Sequence, residues 1–361
     1  MSTSLASNVY AIVMAGGAGT RFWPLSRKNR PKQLLPLGGT DETLIAATVR
    51  RIAPLVPPER VLVVTSAQLA NDVAEALPGV PRENILAEPS GRNTAPCVAW
   101  ASAVVRRRDP NGVAIILAAD HYIVDEPGYV EVLRAASQAA ASGALVTIGI
   151  APTRPETGYG YLELGEKQSD KVFAAKRFVE KPNAERAKEF LAAGNYLWNS
   201  GMFFFRVDAM LAAVEKHLPE IAAGVARFDE AAMAGNEQAV VDAEYSSLPS
   251  ISIDHGVMER AERVLVVPGD FGWSDVGSWT TSWELAPKTD DGNAVPEETV
   301  TVDARNNYVR APKDKLVALV GVDDLVVVDT GDTLLIIPRE RAQDVREVVE
   351  HLKKTKRDHF L

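Results

Sequence analysis

Gly16-Gly17-Ala18-Gly19-Thr20 closes the first apolar run of the sequence. Arg21 follows at once, and Lys32 comes a few residues further on. Glycines at such a place let the backbone approach a ligand closely and supply N–H donors for a phosphate or a base. The two cations beside them suit a polyanion, since each charge-assisted hydrogen bond to a phosphate contributes about 1.5–3 kcal/mol. The loop is not a dinucleotide fingerprint, because the third glycine of that pattern would fall on Phe22. Nor is it a Walker A loop, since no Gly-Lys-Ser/Thr closes it. Arg27 and Lys28, in the same basic stretch, read as solvated charges.

Further chemistry-bearing residues stand at the ends of expected elements. Glu88-Pro-Ser-Gly-Arg-Asn93-Thr94-Ala-Pro96 leads from a strand into a helix, where Asn93 and Thr94 serve as caps, as ligand contacts, or as both. Asp120 ends another apolar run, and a carboxylate at a strand C-terminus of an open α/β sheet faces the ligand crevice. A phosphate-bound Mg²⁺ is usually held by one or two carboxylates plus substrate oxygens; read alone, Asp120 and Asp275 are candidates for it, or else a helix cap or a surface charge. His121 has no other His or Cys at metal spacing, so no zinc site is expected. Glu180 and Lys181 in Phe178-Val-Glu-Lys-Pro182 offer an acceptor for hydroxyls and a point charge for a phosphate. Asn199 can donate and accept toward neighbouring hydroxyls. Gly160 lies in a second close-approach loop. Of Trp273, Trp279 and Trp283, at least two are expected in the core rather than in a sugar platform.

Short buried-type runs position these residues: Val9–Ala15, Val61–Thr65, Ala114–Ala118 and Ala144–Ile148. Amphipathic stretches separate them, among them Thr43–Ile52 and Pro96–Arg108. The alternation predicts an α/β fold, with a mostly parallel sheet and helices on both faces. Gly158 to Phe205 is expected as a lid beside that sheet, and Ala209–His217 and Ile221–Met233 as helices. A polar linker near residue 287 divides a domain over 1–285 from a small β-rich domain over 286–361. The latter reads as short strands at even spacing, in the manner of a few stacked coils, followed by a helix carrying Ala342, Val345, Val348, Val349 and Leu352 on one face. An accessory or dimer-forming role is expected for it.

The net charge of −9 argues against a general nucleic-acid or membrane-surface binder, so polyphosphate must be met by a local cluster of cations. A single cysteine, Cys97, allows no intrachain disulfide. No targeting segment and no apolar run of membrane length are read, so the expected location is cytoplasmic.

Gly-Gly-x-Gly-Thr-Arg, then Pro24-Leu-Ser26 and Pro31-Lys-Gln33, resembles the nucleotide-binding signature of the sugar-1-phosphate nucleotidyltransferases. Glu-Pro-x-Gly-x-Asn-Thr-Ala-Pro resembles their GDP-mannose pyrophosphorylase branch in particular. The resemblance runs from about residue 9 to 285, with the motifs in order, and the C-terminal part is similar to that of short-form members. It implies a Rossmann-like nucleotidyltransferase sheet and a small left-handed β-helix-like domain. It also implies transfer of a guanylyl group from GTP to mannose 1-phosphate, giving GDP-mannose and diphosphate, with Mg²⁺ as cofactor and a homodimer as assembly. Ala15, Gly16, Gly17, Gly19 and Thr20 would then lie at the nucleotide, with Glu88, Asn93 and Thr94. Glu88 is suited to the two donors of the guanine edge. Arg21, Lys32 and Asp275 would be catalytic, Asp120 and Asp275 would hold the metal, and Gly160, Glu180, Lys181 and Asn199 would meet the sugar phosphate. An appended phosphomannose isomerase domain is not expected. Two alternatives stay open: a related transferase with another hexose or triphosphate, and a non-catalytic nucleotide-sugar-binding subunit.

Overall fold

The computed structural model describes residues 8–17, 19–37 and 41–361. Residues 1–7, which carry the polar start, and Ala18 of the glycine loop lie outside the described residues, as do 38–40. The chain forms two compact units. One comprises Met1–Gly16, Val49–Ala119 and Ile123–Trp273, and the other Gly17–Thr48, Asp120–Tyr122 and Ser274–Leu361.

The first unit holds strands β1 (Val9–Met14), β2 (Val61–Ser66), β3 (Ile85–Glu88), β4 (Val113–Ala118), β6 (Leu145–Ile150), β7 (Tyr161–Ser169), β8 (Val172–Val179), β9 (Tyr196–Arg206) and β10 (Val264–Gly269). Two-residue strands β5 (Tyr122–Ile123) and β11 (Trp273–Ser274) lie where the chain passes between units. The nine form one sheet in the order β3-β2-β1-β4-β9-β6-β10-β8-β7. Continuous apolar runs make β1, β2 and β4 buried on both faces, as parallel strands under helices must be. β1 pairs in parallel with β2 and β4, so Met14 lies level with Val64 and Ala118.

One expectation fails. The stretch from Gly158 to Phe205 is not a lid beside the sheet, since β7, β8 and β9 are all strands of it. β9 runs antiparallel between β4 and β6. Its Phe203, Phe204 and Phe205 are all buried, and a strand apolar toward both faces gains most at the sheet centre.

Helices α2 (Ala70–Ala76), α3 (Thr94–Arg108), α4 (Glu126–Ala140), α5 (Ala184–Ala193), α6 (Val207–His217), α7 (Pro219–Met233) and α8 (Glu237–Glu244) belong to this unit. They follow α1 (Leu44–Ile52), along which the chain crosses between units. α3 is buried from Ala95 to Val105, packing against α6 and α7. Trp100 packs tilted against Tyr245 and edge-on to Phe228.

In the second unit β12 (Val300–Val302) pairs in parallel with β14 (Ala318–Val320). β13 (Tyr308–Arg310) pairs in parallel with β15 (Leu325–Asp329), which pairs antiparallel with β16 (Leu334–Pro338). Asn293 and Asn307, both buried, satisfy the corners: Asn307 Nδ2 donates to Asn293 Oδ1 and Asn293 Nδ2 to the Ala304 carbonyl. α9 (Trp279–Leu285) and α10 (Val345–Lys354) complete it. Val345, Val349 and Leu352 of α10 share a core with Phe22, Trp23 and Trp279. Trp279 is fully buried 5.0 Å from Phe22, edge to face. Trp283 donates to the Gly292 carbonyl under the Arg339 guanidinium, so these two tryptophans are structural. Among the described residues no helix is long and apolar enough to cross a membrane.

Candidate active site

Three groups of the expected residues are brought together, one in the second unit and two in the first. The second unit carries an open cavity of about 410 Å³ lined by Gly19, Arg21, Lys32, Asp120, Asp275 and Arg346, among others. Gly19 builds it. Its backbone is left-handed at φ 57°, and a Cβ there would lie 2.6 Å from Lys32 Cβ and 2.9 Å from Lys32 N. Only glycine meets both conditions, so the loop can lie directly on the Lys32 backbone. Ser26 Oγ donates to the Gly19 carbonyl and holds the turn. Thr20 and Arg21 follow in a 3₁₀ turn, Thr20–Phe22. Gly16 and Gly17 are exposed. In the first unit, the Ala15 N–H donates to Val64 and its carbonyl accepts from Thr65, which fixes where β1 ends.

Lys32 is nearly buried. Its ammonium donates to Asp120 Oδ2 at 2.9 Å and to the Asp275 carbonyl at 2.5 Å. Burial pushes the Asp120 carboxyl up, but the Lys32 ammonium, with His121, outweighs it and holds the group below the usual carboxylate range. Arg21 Nη1 donates to the Gly277 carbonyl at 3.0 Å. A Cβ on Gly277 would stand 3.1 Å from Asp275 Oδ2 and 3.2 Å from Arg21 Nη1. The Arg21 guanidinium and the Asp275 carboxylate thus share a cradle that a larger residue would fill.

Two hard-oxygen carboxylates on one cavity suit a divalent ion such as Mg²⁺ once phosphate oxygens complete its shell and offset the charge of the three neighbouring cations. Among the described residues no three His, Cys, Asp or Glu side chains cluster as a metal cage.

One expectation about this stretch is corrected. Arg27 is not a solvated charge. Its guanidinium donates to the Pro24 carbonyl, to Asp332 and to Thr333, tying the loop to the β-rich part of the same unit. Lys28 is exposed as expected.

The second group surrounds the start of α3. Glu88 ends β3, is 8% exposed, and accepts a hydrogen bond at Oε1 from Tyr245 Oη. Burial raises its carboxyl to about 6, partly offset by the tyrosine hydrogen bond. Asn93 caps α3 at φ 63°, its Oδ1 accepting from Thr94 N at 2.9 Å. Thr94 Oγ1 accepts from Ile253 N at 2.8 Å. The capping role is therefore present, and the Thr94 hydroxyl is engaged by the fold.

The third group gathers Gly160, Glu180, Lys181 and Asn199. Lys181 is left-handed at φ 47°, and its ammonium lies 3.0 Å from Glu180 Oε1. Glu180 Oε2 is buried without a hydrogen-bond partner. A Cβ on Gly160 would lie 2.5 Å from that oxygen and 3.2 Å from Asn199 Cβ. Asn199, itself buried, accepts at Oδ1 from Thr147 Oγ1 at 2.8 Å and donates from Nδ2 to Asp254 Oδ1 at 3.1 Å. Glu259 supports the turn: its Oε1 accepts from Glu180 N at 2.8 Å while Oε2 lies 2.9 Å from His255 Nδ1.

The sequence reading missed Tyr245, Asp254, Glu259 and Arg346. The first three lie far along the chain from the residues they serve, and no spacing links them. Arg346 is on the polar side of α10, where an exposed arginine carries no local signal of a site.

Residues 10–292 match the nucleotidyl transferase family model, and residues 297–352 the model of the MannoseP isomerase/GMP-like beta-helix domain. The chain is 43% identical to a mannose-1-phosphate guanylyltransferase of Escherichia coli (strain K12) over 356 residues, 96% of this chain and 74% of that protein. It is 39% identical to a mannose-1-phosphate guanylyltransferase of Klebsiella pneumoniae, over 97% of this chain and 75% of that one. A solved structure described as a mannose-1-phosphate geranyltransferase from Thermus thermophilus superposes with a TM-score of 0.86 at 40% identity, covering 96% of this chain and 99% of that chain.

Proposed function

The chain belongs to the nucleotidyl transferase family, and from that we propose that it joins GTP and α-D-mannose 1-phosphate to give GDP-mannose and diphosphate. The observation that carries this reading is the placing of Arg21, Lys32, Asp120 and Asp275 on one cavity behind a glycine loop. Relatives named for this reaction, near 40% identity over nearly the whole chain, support the choice of substrates.

A phosphate oxygen of the sugar phosphate attacks the α-phosphorus of GTP. One P–O bond forms as the bond to the β-phosphate oxygen breaks, and diphosphate leaves. The attacking oxygen is already deprotonated at neutral pH, so no general base is required. The task left to the protein is to position two polyanions and offset their repulsion. Two unit charges 4 Å apart near a protein surface interact by about 4 kcal/mol. Arg21 and Lys32 bind the triphosphate and the departing diphosphate, and Lys181 takes the phosphate of the sugar phosphate. Glu88 accepts from the guanine edge beside Asn93, and Ala15, Gly16, Gly17, Gly19 and Thr20 line the nucleotide. Gly160, Glu180 and Asn199 meet the sugar hydroxyls. Asp120 and Asp275 would hold Mg²⁺, which when bound offsets negative charge on the phosphates. Residues 1–285 act as the catalytic domain and 286–361 as the accessory domain of a cytoplasmic homodimer.

The test is a panel of four nucleoside triphosphates against several hexose 1-phosphates, scored by diphosphate release in magnesium. GTP with mannose 1-phosphate should give the highest kcat/KM. A different preferred pair would replace the substrates named here. Binding of GTP without turnover of any pair would make the protein a nucleotide-binding subunit instead.

A further inference from the structure

We propose that Asp254 accepts a hydroxyl of the hexose next to Glu180 and so helps set which hexose 1-phosphate is preferred; this rests on the functional reading above. Asp254 opens a five-residue π-helical turn, Asp254–Met258, a type of distortion that is frequent at functional sites. It is partly buried, and beyond the ordinary place of a carboxylate in the first turn of a helical segment it also reaches across the fold. From across the fold, Asn199 Nδ2 donates to its Oδ1, and the charge of Lys181 also acts on it.

The amide orientation of Asn199 is fixed by its other bonds. Thr147 Oγ1 and the Gly201 N–H both approach Oδ1, which makes that atom the acceptor and leaves Nδ2 as donor. Nδ2 carries two hydrogens, and Asp254 takes one. Glu180 stands beside this pair with one oxygen on Lys181 and the other buried and unpartnered. An unmet acceptor of that kind is rare in a folded protein and wants a donor. Gly160 keeps the space next to it clear, because any side chain there would meet Glu180 Oε2 and Asn199.

The same turn holds Glu180 in place. Glu259 accepts from the Glu180 N–H, and His255 pairs with Glu259. Asp254 and Glu180 are thus two acceptors from distant segments, near enough for the charge of one to act on the other, beside the Asn199 amide and the close-packed Gly160. Burial, with the charge of Glu180, raises the Asp254 carboxyl to about 6, so further donors would stabilise its charged form. Neighbouring hydroxyls of a hexose supply such donors, and a site that hydrogen-bonds a hydroxyl discriminates strongly against an analogue lacking it.

The experiment compares wild type with the near-isosteric Asp254→Asn on mannose 1-phosphate, glucose 1-phosphate and the 2-, 3-, 4- and 6-deoxy analogues of mannose 1-phosphate. Wild type should lose at least tenfold in kcat/KM on the analogue that lacks the contacted hydroxyl. In Asp254→Asn that single penalty should fall to about threefold or less, while the penalties for the other analogues persist and KM for GTP stays within twofold. An equal loss on every sugar, or an equal rise in both KM values, would make Asp254 a structural residue and overturn the proposal. If Asp254→Asn does not fold, Asp254→Ser carries the same comparison. Failure of the functional reading shows separately: wild type would then prefer another hexose 1-phosphate, and a deoxy series built on that sugar still tests Asp254.

Discussion

The ammonium of Lys32 lies 2.9 Å from the carboxylate of Asp120, and the pair joins positions 88 residues apart. Lys32→Met should therefore do two things. Turnover should fall by at least three orders of magnitude, because the triphosphate loses a cation. Stability at pH 7 should fall by about 1–3 kcal/mol, below the usual cost of breaking a buried pair because Asp120 is 35% exposed. The carboxyl of Asp120 is held below its unfolded value, so its contribution is present above that value and lost as the pH falls through the folded one. Denaturant melts of both proteins between pH 7 and pH 3 should converge in acid. A constant gap at every pH would show that the pair contributes nothing.

Glu88 titrates in the opposite sense. Its carboxyl rises from the usual 4.5 to about 6 on folding, so the native state binds the proton more tightly than the unfolded chain. Stability from this group is greatest below 4.5 and falls as the pH rises through about 6, by up to about 2 kcal/mol. Glu88→Gln, which can still accept from Tyr245, should melt higher than wild type at pH 7.5 and equally at pH 4. If Glu88 reads guanine, the same substitution raises KM for GTP at least tenfold at pH 7.5. An unchanged KM would leave Glu88 as a packing partner of Tyr245 alone.

Gly19→Ala should be costly and Gly16→Ala should not. At Gly19 the left-handed backbone and the contact with the Lys32 main chain act together, for about 2–4 kcal/mol of stability and a displaced Lys32. At Gly16 a Cβ would meet nothing within 4 Å, so the fold should change by less than about 0.5 kcal/mol. Loss of turnover in Gly16→Ala with an unchanged Tm would then report close approach of a ligand. Equal Tm values for the two variants would contradict the geometry.

Arg346 brings a cation from the C-terminal helix to the cavity of Arg21 and Lys32. Being exposed, it can be truncated without disturbing the core. Arg346→Ala should raise KM for GTP about tenfold, equivalent to about 1.4 kcal/mol, and leave Tm unchanged. Wild-type kinetics would place Arg346 outside the nucleotide site.

Asp275→Asn keeps the volume of the side chain and removes its charge. Turnover in magnesium should be abolished while circular dichroism and Tm match wild type. Full activity of this variant in magnesium would refute a ligand role for Asp275.

Much of this was legible in the chain. Continuous apolar runs marked β1, β2 and β4, since a strand buried on both faces admits few polar residues. The glycine loop with Arg21 and Lys32, and the Glu180-Lys181 pair, were legible because each is a pattern carried by residues close together in the chain. The central strand β9 was not. Its tyrosine, tryptophan and phenylalanines mark a buried strand, but strand order depends on pairing with β4 and β6, which no local pattern encodes.

By itself, then, the sequence determined the residue types that can meet phosphate, metal and sugar, and the elements on whose ends they stand. Tertiary structure decided which of them share surroundings. It gave Glu88 its hydroxyl from Tyr245, turned Arg27 from a solvent charge into a tether, and placed Asp254 against Asn199. The physical reason is that hydrogen bonds and charge pairs act over a few ångströms, and separation along the chain says nothing about such distances until the core has packed.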